Sequence, residues 1–177
     1  MTSKKIYQLI MALGLLAIVV LMFFWLKPDA NWEGVKVISG QTDRVRLPDG
    51  SMAYLKGPAQ IGYPPNFEEK LRKVKMEGEV SFNVVNNGKS FLVQTEKGGV
   101  ETHGAKFLVN SSGKKNITVH CLEGQVRMIA RGKKEILEID MESGEMSSFT
   151  KGDGVMRKEV IDTNVFKSGQ YFTNSYD

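Results

Sequence analysis

The stretch RVRLPDGSMAYL (Arg44–Leu55) decides how the chain is read. It sets a carboxylate, Asp49, and a hydroxyl, Ser51, on either side of Gly50. That pair admits two readings, the start of an active site or a tight turn. Asp-Gly favours a hairpin turn, because glycine accepts a positive φ and aspartate can bond the local backbone. RVR and MAYL then become two short strands, and Asp49 and Ser51 become turn chemistry.

Working outward, the same pattern recurs. EVSFNVV (Glu79–Val85) puts Val80, Phe82 and Val84 on one face and Glu79, Ser81 and Asn83 on the other. SFLVQT, AKFLV, NITVHCL, QVRMIA and KEILEI are further short runs, separated by NNGK, NSSGKKN, LEG, ARGKK and ESGE. Period-two runs bounded by turn clusters at about 8–12-residue spacing predict an all-β sandwich, roll or barrel. NFEEKLRKVKMEG is the one helix candidate after the N-terminal segment. Its apolar Phe67, Leu71, Val74 and Met76 fit a helical face poorly, so LRKVKM is read as a strand after a turn at 66–70. Pro48, Pro58, Pro64 and Pro65 are expected at turns or strand starts, since proline cannot donate to a ladder. All but Gly14 of the 18 glycines follow the N-terminal apolar run, which suits a fold with many tight turns.

That apolar run, Ile6–Leu26, holds Gln8 as its one strongly polar residue. At about 1.5 Å per residue it matches a hydrocarbon core of about 30 Å. It ends in Phe-Phe-Trp-Leu, bulky where a signal peptidase needs small side chains, so it is expected to be an uncleaved transmembrane helix. Trp25 suits the membrane interface, with Trp32 just beyond it. Lys4 and Lys5 before the span, against Lys27 after it, place the N-terminus in the cytoplasm. The expected organisation is a cytoplasmic N-terminus (1–5), a membrane helix (6–26), a linker (27–34), a β domain (35–162) and a C-terminal tail (163–177).

The net charge of +4 is concentrated near that span. Apart from Lys4, Lys5 and Lys27, the basic and acidic residues nearly balance, which excludes the basic stripe that nucleic-acid binding needs. Cys121 is the only cysteine, so no intrachain disulfide or multi-cysteine metal site exists; it reads as a small buried apolar residue. His103 and His120 are both placed on strands, without metal-ligand spacing. GKS (Gly88–Ser90) lacks the first glycine of a phosphate loop, since position 83 is asparagine, and falls in a predicted hairpin turn. No G-x-S-x-G elbow occurs. Glu77 and Glu79 flank Gly78 and read as polar residues around a turn. Asn110 and Asn116 head glycosylation-type sequons, which matter only in a eukaryotic secretory setting. No catalytic, cofactor or metal site is expected.

The motifs, in their order along about 43–145, resemble the FecR family. They are LPDGS (Leu47–Ser51), the Tyr63–Pro64 step, the GEVSFNV strand, FLVQT (Phe91–Thr95), the Val100–Val109 hairpin and the Val119–Val126 hairpin. His103-Gly104-Ala105 departs slightly from that family's Leu-Gly-Thr step. The motif positions carried over as structural turn and strand residues are Asp49, Gly50, Ser51, Tyr63, Pro64, Gly78, Phe82, Val84, Phe91, Gly104, Phe107 and Gly124.

The resemblance implies a two-sheet, jelly-roll-like periplasmic domain on a single-pass inner-membrane protein. It implies a non-enzymatic regulator of an extracytoplasmic-function sigma factor, of the anti-sigma type, controlling uptake of iron complexes or glycans. The implied partner is an envelope protein, either the signalling domain of a TonB-dependent transporter or a separate sigma-regulating protein, besides the lipid bilayer. The family's sigma-binding segment is larger than the MTSKK found here, and its C-terminal secretin/TonB-type domain has no counterpart before Asp177. The expectation is therefore a FecR core with an anchor. Two alternatives stand beside it: a truncated fragment without signalling activity, and an envelope module binding glycan or peptidoglycan through aromatics such as Tyr63, Tyr171 and Phe172.

Overall fold

The chain divides into residues 1–31 and 32–177. The computed structural model describes residues 32–38, 40–67, 71–113, 115–132, 135–151 and 154–161. The apolar run Ile6–Leu26, Tyr171 and Phe172 lie outside these. Among the described residues no helix is long and apolar enough to cross a membrane.

The described residues form eleven strands in order: β1 (Glu33–Val37), β2 (Thr42–Arg46), β3 (Met52–Tyr63), β4 (Leu71–Asn83), β5 (Ser90–Gln94), β6 (Gly98–Thr102), β7 (Ala105–Asn110), β8 (Asn116–Arg131), β9 (Ile136–Glu142), β10 (Glu145–Thr150) and β11 (Val155–Val160). The all-β expectation holds for the described residues. The first strand begins at Glu33, inside the expected linker.

The strands of the expected two-sheet, jelly-roll-like structure are joined in one continuous ladder. The reason lies in three long strands, β3, β4 and β8, of 12, 13 and 16 residues. Each pairs with different neighbours along its two halves. The start of β4 pairs with β5 in parallel, and its end pairs with β7 antiparallel. Likewise β8 gives its first half to β7 and β10 and its second half to β6 and β9. The pairings β4–β5–β6–β8–β7–β4 therefore close into a circuit.

Such strands must bend between their halves. In β4 the bend is at Gly78, with φ +91°, opposite an irregularity of β3 around the cis Gly57–Pro58 bond. A Cβ on Gly78 would stand 2.4 Å from the Pro58 carbonyl oxygen, so only glycine fits. In β8 the pairing with β7 slips by one residue beside Gly124, the signature of a bulge. Four expectations are corrected here. Glu77–Glu79 and the LEG segment are bends within strands, since β4 keeps β3 beside it on both sides of Gly78 and β8 runs unbroken through residues 122–124. NNGK is no hairpin turn, because β4 and β5 run parallel. Pro58 lies inside β3, where the bend interrupts the pairing with β4.

The core follows the period-two pattern. Val80 and Phe82 are fully buried and Val84 nearly so. Phe82 stacks on Phe107 at 5.3 Å between centroids and meets Phe91 edge-on at 6.0 Å. Cys121 is fully buried and free. The raised pKa of its thiol, about 11, follows first from that burial, then from Glu145 and Glu142.

Candidate interaction site

The LPDGS turn carries more than local geometry. The Gly50 amide donates to the Leu47 carbonyl and the Leu47 amide to the Ser51 carbonyl, closing the β2–β3 hairpin with Gly50 at φ +86°. Asp49 Oδ1 accepts from the Ser51 amide at 2.9 Å, and Asp49 Oδ2 accepts from the Ser51 hydroxyl at 2.7 Å. Oδ2 also accepts from Arg72 at 2.6 Å, and both side chains are almost wholly buried.

Arg72, on β4, gathers three loops around it. Its guanidinium donates to the carbonyls of Val85 at 2.8 Å, Lys89 at 2.6 Å and His103 at 3.0 Å. Its carbon sits 5.3 Å from the Phe91 ring centroid, so the charge rests on an aromatic face. A buried charge needs this many partners to remain folded in. The Ser51 hydroxyl accepts from the Val85 amide at 3.0 Å. Both backbone groups of Val85 are thus held by buried side chains, while its own side chain is exposed. Sequence reasoning missed Arg72, since an arginine in a lysine-rich strand carries no local sign of burial. Its place on the inward period with Val74 and Met76 was the available signal.

A cleft of about 710 Å³ opens beside this cluster, lined among others by Asn86, Thr102, His103, Gln125, Arg127 and Asp140. His103 lies in the β6–β7 turn and not on a strand, because Thr102 ends β6 and caps the turn by accepting from the Gly104 amide. On the rim, Arg127 grips Asp140 at 2.7 and 3.2 Å. That hydrogen bond raises the arginine's pKa and lowers the carboxyl's. A second cleft, about 480 Å³, lies among Val35, Gln60, Ile61, Lys75 and Met76. Lys75 there sits 4.6 Å over the Trp32 ring.

The motif residues fall into three places. Asp49, Gly50 and Ser51 form the turn, with Phe91 beneath Arg72. Phe82, Val84 and Phe107 are core. Gly78 and Gly124 mark strand bends, and Gly104 approaches Asn86 closely. Tyr63 ends β3 and is buried, its pKa raised first by that burial, with Pro64 just after it. A buried ring is closed to sugar stacking, which removes Tyr63 from the glycan-binding set. Among the described residues no group of three or more His, Cys, Asp or Glu side chains could hold a metal ion.

The site is thus a cluster of loops tied by buried hydrogen bonds on a closed β scaffold. The chain belongs to the FecR family: the model described as FecR protein matches residues 34–127, more than half of it. No curated protein matches the chain. Two crystal structures from Parabacteroides distasonis ATCC 8503, each described as a "putative anti-sigma factor", are similar to it. One, solved at 2.50 Å, is 26% identical with a TM-score of 0.69, over 77% of this chain and 63% of that one. The other, at 1.65 Å, is 27% identical with a TM-score of 0.68, over 80% and 68%. The chain therefore spans less than two thirds of the first of these proteins.

Proposed function

We propose that the chain is a FecR-type regulator of an extracytoplasmic-function sigma factor, acting through protein–protein contact. One observation carries the reading: the family match covers the strands and loops that Arg72 and Asp49 tie together. The similarity to proteins described as anti-sigma factors supports it. Ile6–Leu26 serves as a single-pass inner-membrane anchor, with the N-terminus in the cytoplasm and the β domain in the periplasm. There the domain meets an envelope protein, the signalling domain of a TonB-dependent transporter or a separate sigma-regulating protein. The contact is made by the fixed loops, with exposed Val85 as an apolar anchor that costs little ordering entropy on binding.

Transcript profiling of a strain lacking the protein tests this. A set of genes under one sigma factor should change level, and the wild-type chain should restore it. Val85→Asp should fail to restore it while accumulating normally. A deletion that moves no sigma-dependent transcripts overturns the proposal.

A further inference from the structure

β11 stands at one end of the strand order. Among the described residues β11 pairs with β10 alone. Which of its groups face outward follows from two hydrogen bonds. The Lys151 amide donates to Lys115, so the odd residues of β10 face β8 and the even ones face β11. The Ile161 amide donates to Gly144, consistent with Val155, Arg157 and Glu159 turning their backbone groups toward β10. Met156, Lys158 and Val160 therefore direct their N–H and C=O groups away from the sheet.

An exposed edge of this kind is normally guarded by lysine. Here Lys158 is drawn back onto its own sheet: its ammonium bonds Glu145 at 2.6 Å and the Asp140 carbonyl at 2.9 Å. Meanwhile Val155 and Val160 stand 53% and 84% exposed. The edge is hydrogen-bond competent, and it carries exposed Val155 and Val160 beside the exposed charges of Arg157 and Glu159.

We propose that two copies of this chain associate by antiparallel pairing of their β11 edges about a two-fold axis at Lys158. Backbone parity allows only even residues to oppose even residues across the new ladder. Among those registers, centring on Arg157 or on Glu159 sets against each other like charges that no ion pair of the described residues offsets, whereas the two Lys158 that meet in the third register are each offset by their own Glu145. Centring on Lys158 sets Arg157 against Glu159 of the second copy, twice by symmetry, with Met156 against Val160 and Val155 against Ile161. The two central ammonium groups each keep their own Glu145. The occupant is a second copy because the strand is complementary to itself in charge and in apolar placement. The ladder joins the two sheets into one.

Disulfide trapping in cells producing two differently tagged full-length copies tests this. Arg157→Cys in one copy and Glu159→Cys in the other face each other at a non-hydrogen-bonded position, where β carbons come close enough to bridge. After oxidation this combination should give several-fold more linked dimer than either variant beside the unaltered chain, whose Cys121 is buried. Val160→Pro removes an outward N–H that the chain's own ladder does not use, so it should abolish the link without unfolding the domain. In a separate comparison without cysteines, Arg157→Glu should lower dimer recovery by pull-down between the two tags, and adding Glu159→Arg should restore it. Linkage that is absent, equal in all combinations, indifferent to Val160→Pro, or made to a different polypeptide overturns the proposal.

Discussion

Arg72 and Asp49, 23 residues apart, meet at 2.6 Å with side chains only 1% and 5% exposed. The pair joins the first hairpin to the start of β4, and through Arg72 to the loops at Val85, Lys89 and His103.

Arg72→Met leaves the Asp49 carboxylate buried without its cation. A cost of about 3–5 kcal/mol is expected, the range for breaking a buried pair from one side. Arg72→Lys should recover only part of it, since an ammonium cannot span four acceptors in one plane. Urea unfolding of the full chain in detergent, followed by tryptophan fluorescence, measures both. A loss below about 1 kcal/mol would show the pair to be dispensable.

Gly50 and Gly78 both adopt positive φ, but their surroundings differ. A Cβ on Gly50 meets nothing within 4 Å, so Gly50→Ala should cost only the backbone term of about 1–2 kcal/mol. Gly78→Ala adds a collision with Pro58 and Ala59 backbone and should cost clearly more. Equal losses in the same unfolding measurement would refute the close approach.

His120 titrates with a sign set by burial, which lowers its pKa from 6.5 against the opposing pull of Glu79. As pH falls through the ordinary value the unfolded chain takes up a proton that the folded chain refuses. Stability therefore declines from about pH 6.5 toward the lowered folded value. Thermal midpoints at about pH 7.5 and about pH 5.5 should differ less in His120→Gln than in the wild type. An unchanged difference would assign the acid sensitivity elsewhere.

Cys121 is fully buried with its thiol pushed up to about 11. A thiol reagent at about pH 8 should label it only after denaturant is added, because the thiolate is both scarce and enclosed. Rapid labelling of the folded chain would contradict its place in the core.

The all-β class, the inward faces of the strands and the LPDGS turn were legible in the order of residues alone. These are short-range: period-two alternation records which side is buried, and Asp-Gly records a positive φ. The sequence also carried the family resemblance, because the motifs survive in order. Where the long strands bend, that β4 and β5 run parallel, and that Arg72 lies inside became visible in the folded chain. A glycine with positive φ serves a chain reversal and a strand bend equally well, and only the neighbouring strand distinguishes them. Period two says nothing about which strand lies alongside or in which direction. Arg72 stands on an inward position, but its burial depends on acceptors supplied from residues 49, 85, 89 and 103, which only folding brings together.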